Sequence, residues 1–129
     1  LIPTAEVPVT NIHADEMLIL TVLRNLVDNA LKYASGNDQQ VEISVIQQNQ
    51  DIIIQIEDFG PGIPEDKLPF VFEPFYRADQ SRSRKTGGYG LGLHLCKRIM
   101  DLHGAEIGLQ DRTGSTGLLV RLKFSEEPL

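Results

Sequence analysis

The chain is poor in several residue types, and each shortage narrows what it can be. It carries a single cysteine, Cys96, so no internal disulfide can form. That points to a reducing, cytoplasmic setting. No apolar run approaches the ~20 residues of a membrane-spanning helix, and no secretory signal opens the sequence. Positive charge is scarce: 12 Lys and Arg stand against 18 Asp and Glu, for a formal charge of −6. This balance argues against a nucleic-acid or membrane-surface partner for the chain as a whole. Aromatics are few, five Phe and three Tyr, with no Trp.

What is present suits one folded unit. The 129 residues, 41% hydrophobic, are enough for one core. We expect residues 1–129 to form a single domain. The chain opens on Leu1 rather than Met, and we expect it to be a piece excised from a longer protein.

Apolar spacing predicts the elements. Residues Val7 to Ile12 suit a short edge strand, and Asp15 suits the cap of a helix from Leu18 to Ala34. Leu20, Leu23, Val27, Ala30, Leu31 and Ala34 are expected on its buried face, with Asn25, Asn29 and Lys32 on the other. Ser35 to Asp38 ends the helix. Val41 to Ile46 and the β-branched Asp51 to Asp58 read as a hairpin turning at Asn49 to Asp51. A short helix is expected from Pro64 to about Phe72. The stretch from Glu73 to Gly88 is polar and aperiodic, a loop. Leu91 to Leu102 reads as a helix with Leu91, Leu95, Ile99 and Leu102 on one face, ending at Gly104. Glu106 to Gln110 and Leu118 to Phe124 complete the strands. The order predicts an α+β fold: a two-layer α/β sandwich, a mixed sheet with helices on one face.

Three segments carry chemistry. Polar residues at i, i+4 and i+7 of a helix commonly make its solvated face, but Asn25, Asn29 and Lys32 are also suited to a metal–phosphate group. Neutral Asn oxygens ligate Mg²⁺ without adding charge beside phosphates, and Lys32 supplies a point charge. Asp58 closes a buried strand and enters Phe59-Gly60-Pro61-Gly62. Such a carboxylate can serve a turn, or accept from an adenine amino group that Gly60 and Gly62 let approach. Asp58-Phe59-Gly60 spells the protein-kinase triplet, yet the other kinase signatures are missing. Gly87-Gly88-Tyr89-Gly90-Leu91-Gly92-Leu93 has neither Rossmann nor Walker spacing. Glycines at a helix start free backbone N–H groups for phosphates, and Arg77, Arg82, Arg84 and Lys85 cluster just before them. Phe70, Phe72, Phe75 and Tyr76 crowd into the preceding stretch, for the core, the nucleotide-bound state or a partner. His13, His94, His103 and Cys96 lack metal-ligand spacing and read as structural or incidental. In this order, helix stripe, turn and glycine run describe an ATP·Mg²⁺ site.

On these segments the chain resembles the catalytic and ATP-binding domain of sensor histidine kinases, in the GHKL superfamily with its Bergerat ATP-binding fold. Asn25 to Tyr33 matches the N box, Asp58 to Ile63 the first glycine box, Phe72 to Arg77 the F box, and Gly88 to Leu93 the second glycine box. Gly114 to Gly117 is similar to the family's last glycine turn. The resemblance implies that Asn29 ligates Mg²⁺ and that Asn25 lies beside the phosphates. It places Lys32 on a phosphate, Tyr33 along the nucleotide, and Asp58 on the adenine amino group with Gly60, Gly62 and Ile63 around the base. Arg77 would reach the γ-phosphate from a lid of about residues 73–88. Gly88, Gly90, Leu91, Gly92 and Leu93 would offer backbone to the phosphates, and Thr116 joins the nucleotide set. Tyr89 departs from the small residue usual there, and Ala105 replaces a common Gly.

The resemblance also implies a reaction. ATPase branches of the superfamily carry a water-activating Glu where this chain has Asn25, and an Asn cannot be that base. The chain is therefore expected to hydrolyse ATP poorly and to pass the γ-phosphoryl group to a His on a separate dimerisation domain. No His here has the acidic residue and downstream sequence of such an acceptor, so that domain is expected elsewhere in the parent. Asn25, Asn29 and Arg77 are the expected catalytic residues. The isolated domain is expected to be a monomer, the parent a homodimeric inner-membrane sensor, and the downstream partner a response regulator of OmpR type. A degenerate binding module and a GHKL ATPase are the competing readings. The intact Asn29 and Asp58 oppose the first, and Asn25 the second.

Overall fold

The computed structural model describes residues 2–3, 12, 14–33, 41–60, 62–74, 92–111 and 117–125. Its elements are β1 (Ile2–Pro3), α1 (Glu16–Tyr33), β2 (Val41–Gln48), β3 (Asp51–Asp58), a 3₁₀ turn (Leu68–Phe70), α2 (Gly92–Leu102), β4 (Glu106–Asp111) and β5 (Leu118–Ser125). The expected strand at Val7 to Ile12 and the helix stop at Ser35 to Asp38 lie outside the described residues, Ile12 excepted.

The strands form one sheet in the order β1-β2-β3-β5-β4. β1 runs parallel to β2 and every other neighbour is antiparallel, so the sheet is mixed. The hairpin between β2 and β3 turns at Asn49 and Gln50, with Asn49 at φ 55. Tight hairpin turns need a left-handed residue there, and Asn tolerates it. Register lines up apolar rows across the sheet. Ile43, Ile56, Val120 and Leu109 make one row, and Ile54, Leu122 and Ile107 the next. These residues belong to the core shared with the helices. Alternation sets Ile53, also buried, on the opposite side of its strand. α1 packs over β3 and β2, and α2 over β4, which gives the expected two-layer α+β sandwich.

Asp15 caps α1: its Oδ1 accepts the Leu18 N–H at 3.0 Å. The buried stripe is Ile19, Val22, Leu26 and Ala30, with Leu23 beside it. This corrects the expected face, since Leu20 and Leu31 are 47% and 37% exposed. α1 carries aliphatic residues around more than half of its circumference, and packing on β3 chose the stripe one residue earlier. In α2 the same correction applies. Cys96, Ile99 and Met100 are buried, whereas Leu95 and Leu102 are exposed. The expected helix from Pro64 shrinks to a 3₁₀ turn, because Pro69 inside it lacks an N–H. α2 ends as expected at Gly104, φ +63. Ala105 N–H bonds Met100 O at 2.9 Å and Gly104 N–H bonds Asp101 O at 3.1 Å, the paired bonds of a Schellman cap.

Candidate nucleotide site

Three contacts fix how the helices lie. The Asp15 N–H donates to His103 Nε2 at 3.0 Å, Cys96 Sγ lies 3.8 Å from Val22 O, and a Cβ on Gly92 would stand 3.4 Å from Asn25 Oδ1. Numbers rise on one helix as they fall on the other, so α1 and α2 are antiparallel. The start of α2 therefore meets the C-terminal half of α1. The N box and the second glycine box come together there, although far apart in sequence.

Asn25 is half-buried on the flank of α1 that faces α2, and is not on the face opposite the core. Its Nδ2 donates to Thr21 O at 2.9 Å, which turns Oδ1 toward Gly92. A glycine at this point lets the helices approach without displacing the amide. Asn29, also half-buried, lies one turn further along the same flank, about 6 Å up the axis. It stands past the first residue of α2. The first-turn N–H groups of α2, from Gly92 and Leu93 on, have no acceptor within their own helix and carry its positive end. Lys32 and Tyr33 belong to the last turn of α1, with side chains outside the description.

The first glycine box lies at the edge where β3 and β4 end and β5 begins. Asp58 is the buried charged residue among those described, 5% exposed. It continues the alternation of Ile54 and Ile56 and so points to the helix side of the sheet. Its Oδ1 accepts Gly60 N–H at 2.9 Å and Leu118 N–H at 3.2 Å. A buried carboxylate is tolerable only with such partners. Beyond it the chain crosses the start of β5. Gly62 sits at φ +77, where a Cβ would be 2.7 Å from Asp111 Oδ1 and 3.2 Å from Gly117 O. The Ile63 N–H then donates to Asp111 Oδ1 at 3.1 Å. Gly60 and Gly117 are buried in this corner.

Two residues tie other parts to the site. His94, in the first turn of α2, places Nδ1 3.1 Å from Phe72 O, so its N–H holds the F box to that helix. Phe72 packs against the core. His103 at the other end uses both nitrogens. Nδ1 donates to Ile99 O at 2.8 Å while Nε2 accepts from Asp15. Burial pushes the Cys96 thiol up to about 12. Both histidines and Cys96 are structural, as expected, and no cluster of metal ligands occurs among the described residues. Arg77, Gly88, Gly90, Leu91 and Thr116 lie outside those residues, as do Tyr89 and His13. Asp111 was missed in the sequence. An acidic strand end before a glycine-rich turn is weak as a signal, and its role depends on β4–β5 register.

The comparisons with known proteins decide the family. Residues 14–128 match the family described as histidine kinase-, DNA gyrase B-, and HSP90-like ATPase. The chain belongs to that family. ATP is the nucleotide of these ATPases. Sensor histidine kinase YkoH of Bacillus subtilis (strain 168) is 43% identical over 116 residues, 90% of this chain and 25% of YkoH. Among solved structures, the mycobacterial sensor histidine kinase MprB aligns with a TM-score of 0.75 and 26% identity, over 90% of this chain and 75% of that one. Histidine kinase ThkA in complex with response regulator protein TrrA aligns with a TM-score of 0.72 and 27% identity, over 91% and 31%. The chain thus spans about a quarter of the length of the curated relatives it matches. No helix among its described residues is long and apolar enough to cross a membrane.

Proposed function

We propose that residues 1–129 are one domain, the ATP- and Mg²⁺-binding catalytic half of a two-component sensor histidine kinase. It presents the γ-phosphate of ATP to a histidine on a separate dimerisation domain of the same parent. The observation that carries this reading is the meeting of Asn25 with Gly92. It sets a neutral amide, rather than a carboxylate base, beside the helix start that would hold phosphates. Phosphoryl transfer asks a protein mainly for positioning and charge neutralisation, and this arrangement offers both.

The donor chemistry fits Mg²⁺. Asn29 is a half-buried neutral oxygen donor beside the phosphate-side helix start, and it would hold the ion. The bound ion would neutralise charge between phosphate oxygens. Lys32 and the N–H groups from Gly88 to Leu93 would share the phosphates. Tyr33 and Thr116 would line the nucleotide, and Asp58 would take the adenine amino group. Residues 73–88 would form the lid, from which Arg77 reaches the γ-phosphate. The parent is a homodimeric membrane sensor with this domain in the cytoplasm, and its downstream partner is a response regulator of OmpR type. ThkA, solved with response regulator protein TrrA, supports a response regulator as the partner.

Radiolabelled ATP tests the reading. The chain alone should gain no acid-labile label and release phosphate very slowly. Adding the parent's dimerisation domain should move label to that domain's histidine, and Arg77→Ala should weaken this transfer more than it weakens ATP binding. Brisk phosphate release without an acceptor would overturn the proposal in favour of an ATPase.

A further inference from the structure

The geometry points to Asp111 as a positioning residue for the nucleotide base, an inference that rests on the function proposed above. Asp111 is the last residue of β4 and pairs with Leu118 at the start of β5. Asp58, on β3, takes the Leu118 N–H from the other side. Two carboxylates therefore flank one residue of β5 at the same edge of the sheet. Each then reaches into the segment that follows β3. Asp58 Oδ1 holds the Gly60 N–H at 2.9 Å, and Asp111 Oδ1 holds the Ile63 N–H at 3.1 Å. The first bond fixes where the segment leaves β3, and the second fixes where it lands after crossing β5. Gly62 between them is pressed so closely on Asp111 Oδ1 that a Cβ would stand 2.7 Å from it.

The consequence concerns the base. A buried acceptor discriminates between bases only if the backbone beside it holds the ring edge in register. The Asp58 bond to Gly60 secures the near end of the segment. Asp111 secures the far end through the Ile63 N–H. Its carboxylate is exposed on a strand terminus, so its removal leaves no buried polar group of its own. Loss of its bond should loosen Gly62 and Ile63 and leave the sheet intact.

Calorimetry with ATP·Mg²⁺ and GTP·Mg²⁺, on the chain and on two variants, tests this. Asp111→Ala should weaken ATP binding by about 5-fold to 10-fold, the value of one hydrogen bond of roughly 1 kcal/mol. It should narrow the preference for ATP over GTP, quicken hydrogen exchange at the Ile63 amide, and lower the melting temperature by no more than a few degrees. Asp111→Asn keeps an acceptor oxygen and should restore both affinity and selectivity. Equal binding by Asp111→Ala and the unaltered chain would overturn the inference while sparing the function. Failure of Asp111→Asn to restore binding would overturn the hydrogen-bond account. Failure of the unaltered chain to bind ATP·Mg²⁺ would defeat the proposed function, and the inference with it.

Discussion

The two ends of the α1–α2 pair treat their backbone groups in opposite ways. At the end formed by Asp15 and His103, the exposed termini are closed by the protein itself. Asp15 caps α1, His103 bridges the two helices, and a Schellman turn at Gly104 closes α2. At the other end α2 begins on Gly92 against Asn25, with the positive end of the helix beside the asparagine flank of α1. One end is finished with hydrogen bonds that hold the fold. The other offers helix-start donors that have no acceptor within their own helix, and a close backbone approach, which suits an anionic ligand. On the proposed function, stability and binding are separated along a single helix pair, and substitutions should divide accordingly.

The largest expected effect lies at the open end. Asn29→Ala should lower ATP·Mg²⁺ affinity beyond the ~10–100-fold that loss of an outer-shell partner costs a metal site. Alanine favours helix, so the melting temperature should hold. Calorimetry and a thermal melt on the same sample separate the two readouts, and unchanged binding would remove Asn29 from its role.

Gly62→Ala should act on both fold and site. It forces a Cβ into φ +77 and to 2.7 Å from Asp111 Oδ1. A strained backbone of this kind costs about 1–3 kcal/mol, read as a lowered denaturant midpoint, and adenine binding should fall with it. At the closed end, His103→Ala should give the mirror image of Asn29→Ala. Loss of its two bonds should remove roughly 1–2 kcal/mol of stability and leave ATP affinity within error. A weakened affinity there would break the separation of the two ends.

The last effect is absent at neutral pH and confined to the alkaline range. The Cys96 thiol rises from 9.0 to about 12 because burial disfavours the thiolate. Below pH 9 both folded and unfolded states keep the proton, and the full stability is present. Between about 9 and 12 only the unfolded state ionises, so stability should fall as pH rises, by roughly 1 kcal/mol per unit. Cys96→Ser, measured by denaturant titration across that range, should flatten the slope. A thiol reagent should leave the native chain unlabelled at pH 8.

These contrasts also show what a sequence can and cannot display. Caps and turns are local, and Asp15, Asn49 and Gly104 fall where residue chemistry puts them. β3 follows equally from its β-branched run, whereas β1 at Ile2–Pro3 was not read from the sequence. Helix faces were less legible. Leu20 and Leu31 compete with Ile19, Val22 and Leu26 on one crowded helix, and only the sheet beneath decides between them. The N box and the glycine boxes were readable as motifs, but their meeting at Asn25 and Gly92 follows from antiparallel packing. Asp111 was hidden for the same reason, since its partner Ile63 is brought to it by strand register.

The most direct test of the two-ended account is a backbone amide NMR titration of the chain with ATP·Mg²⁺. Gly60, Gly62, Ile63, Gly92, Leu93, Asn25 and Asn29 should shift or broaden, while Asp15, His103 and Gly104 stay in place. Perturbation centred on Asp15 and His103, or none at Gly92 and Asn29 at saturating nucleotide, would contradict it.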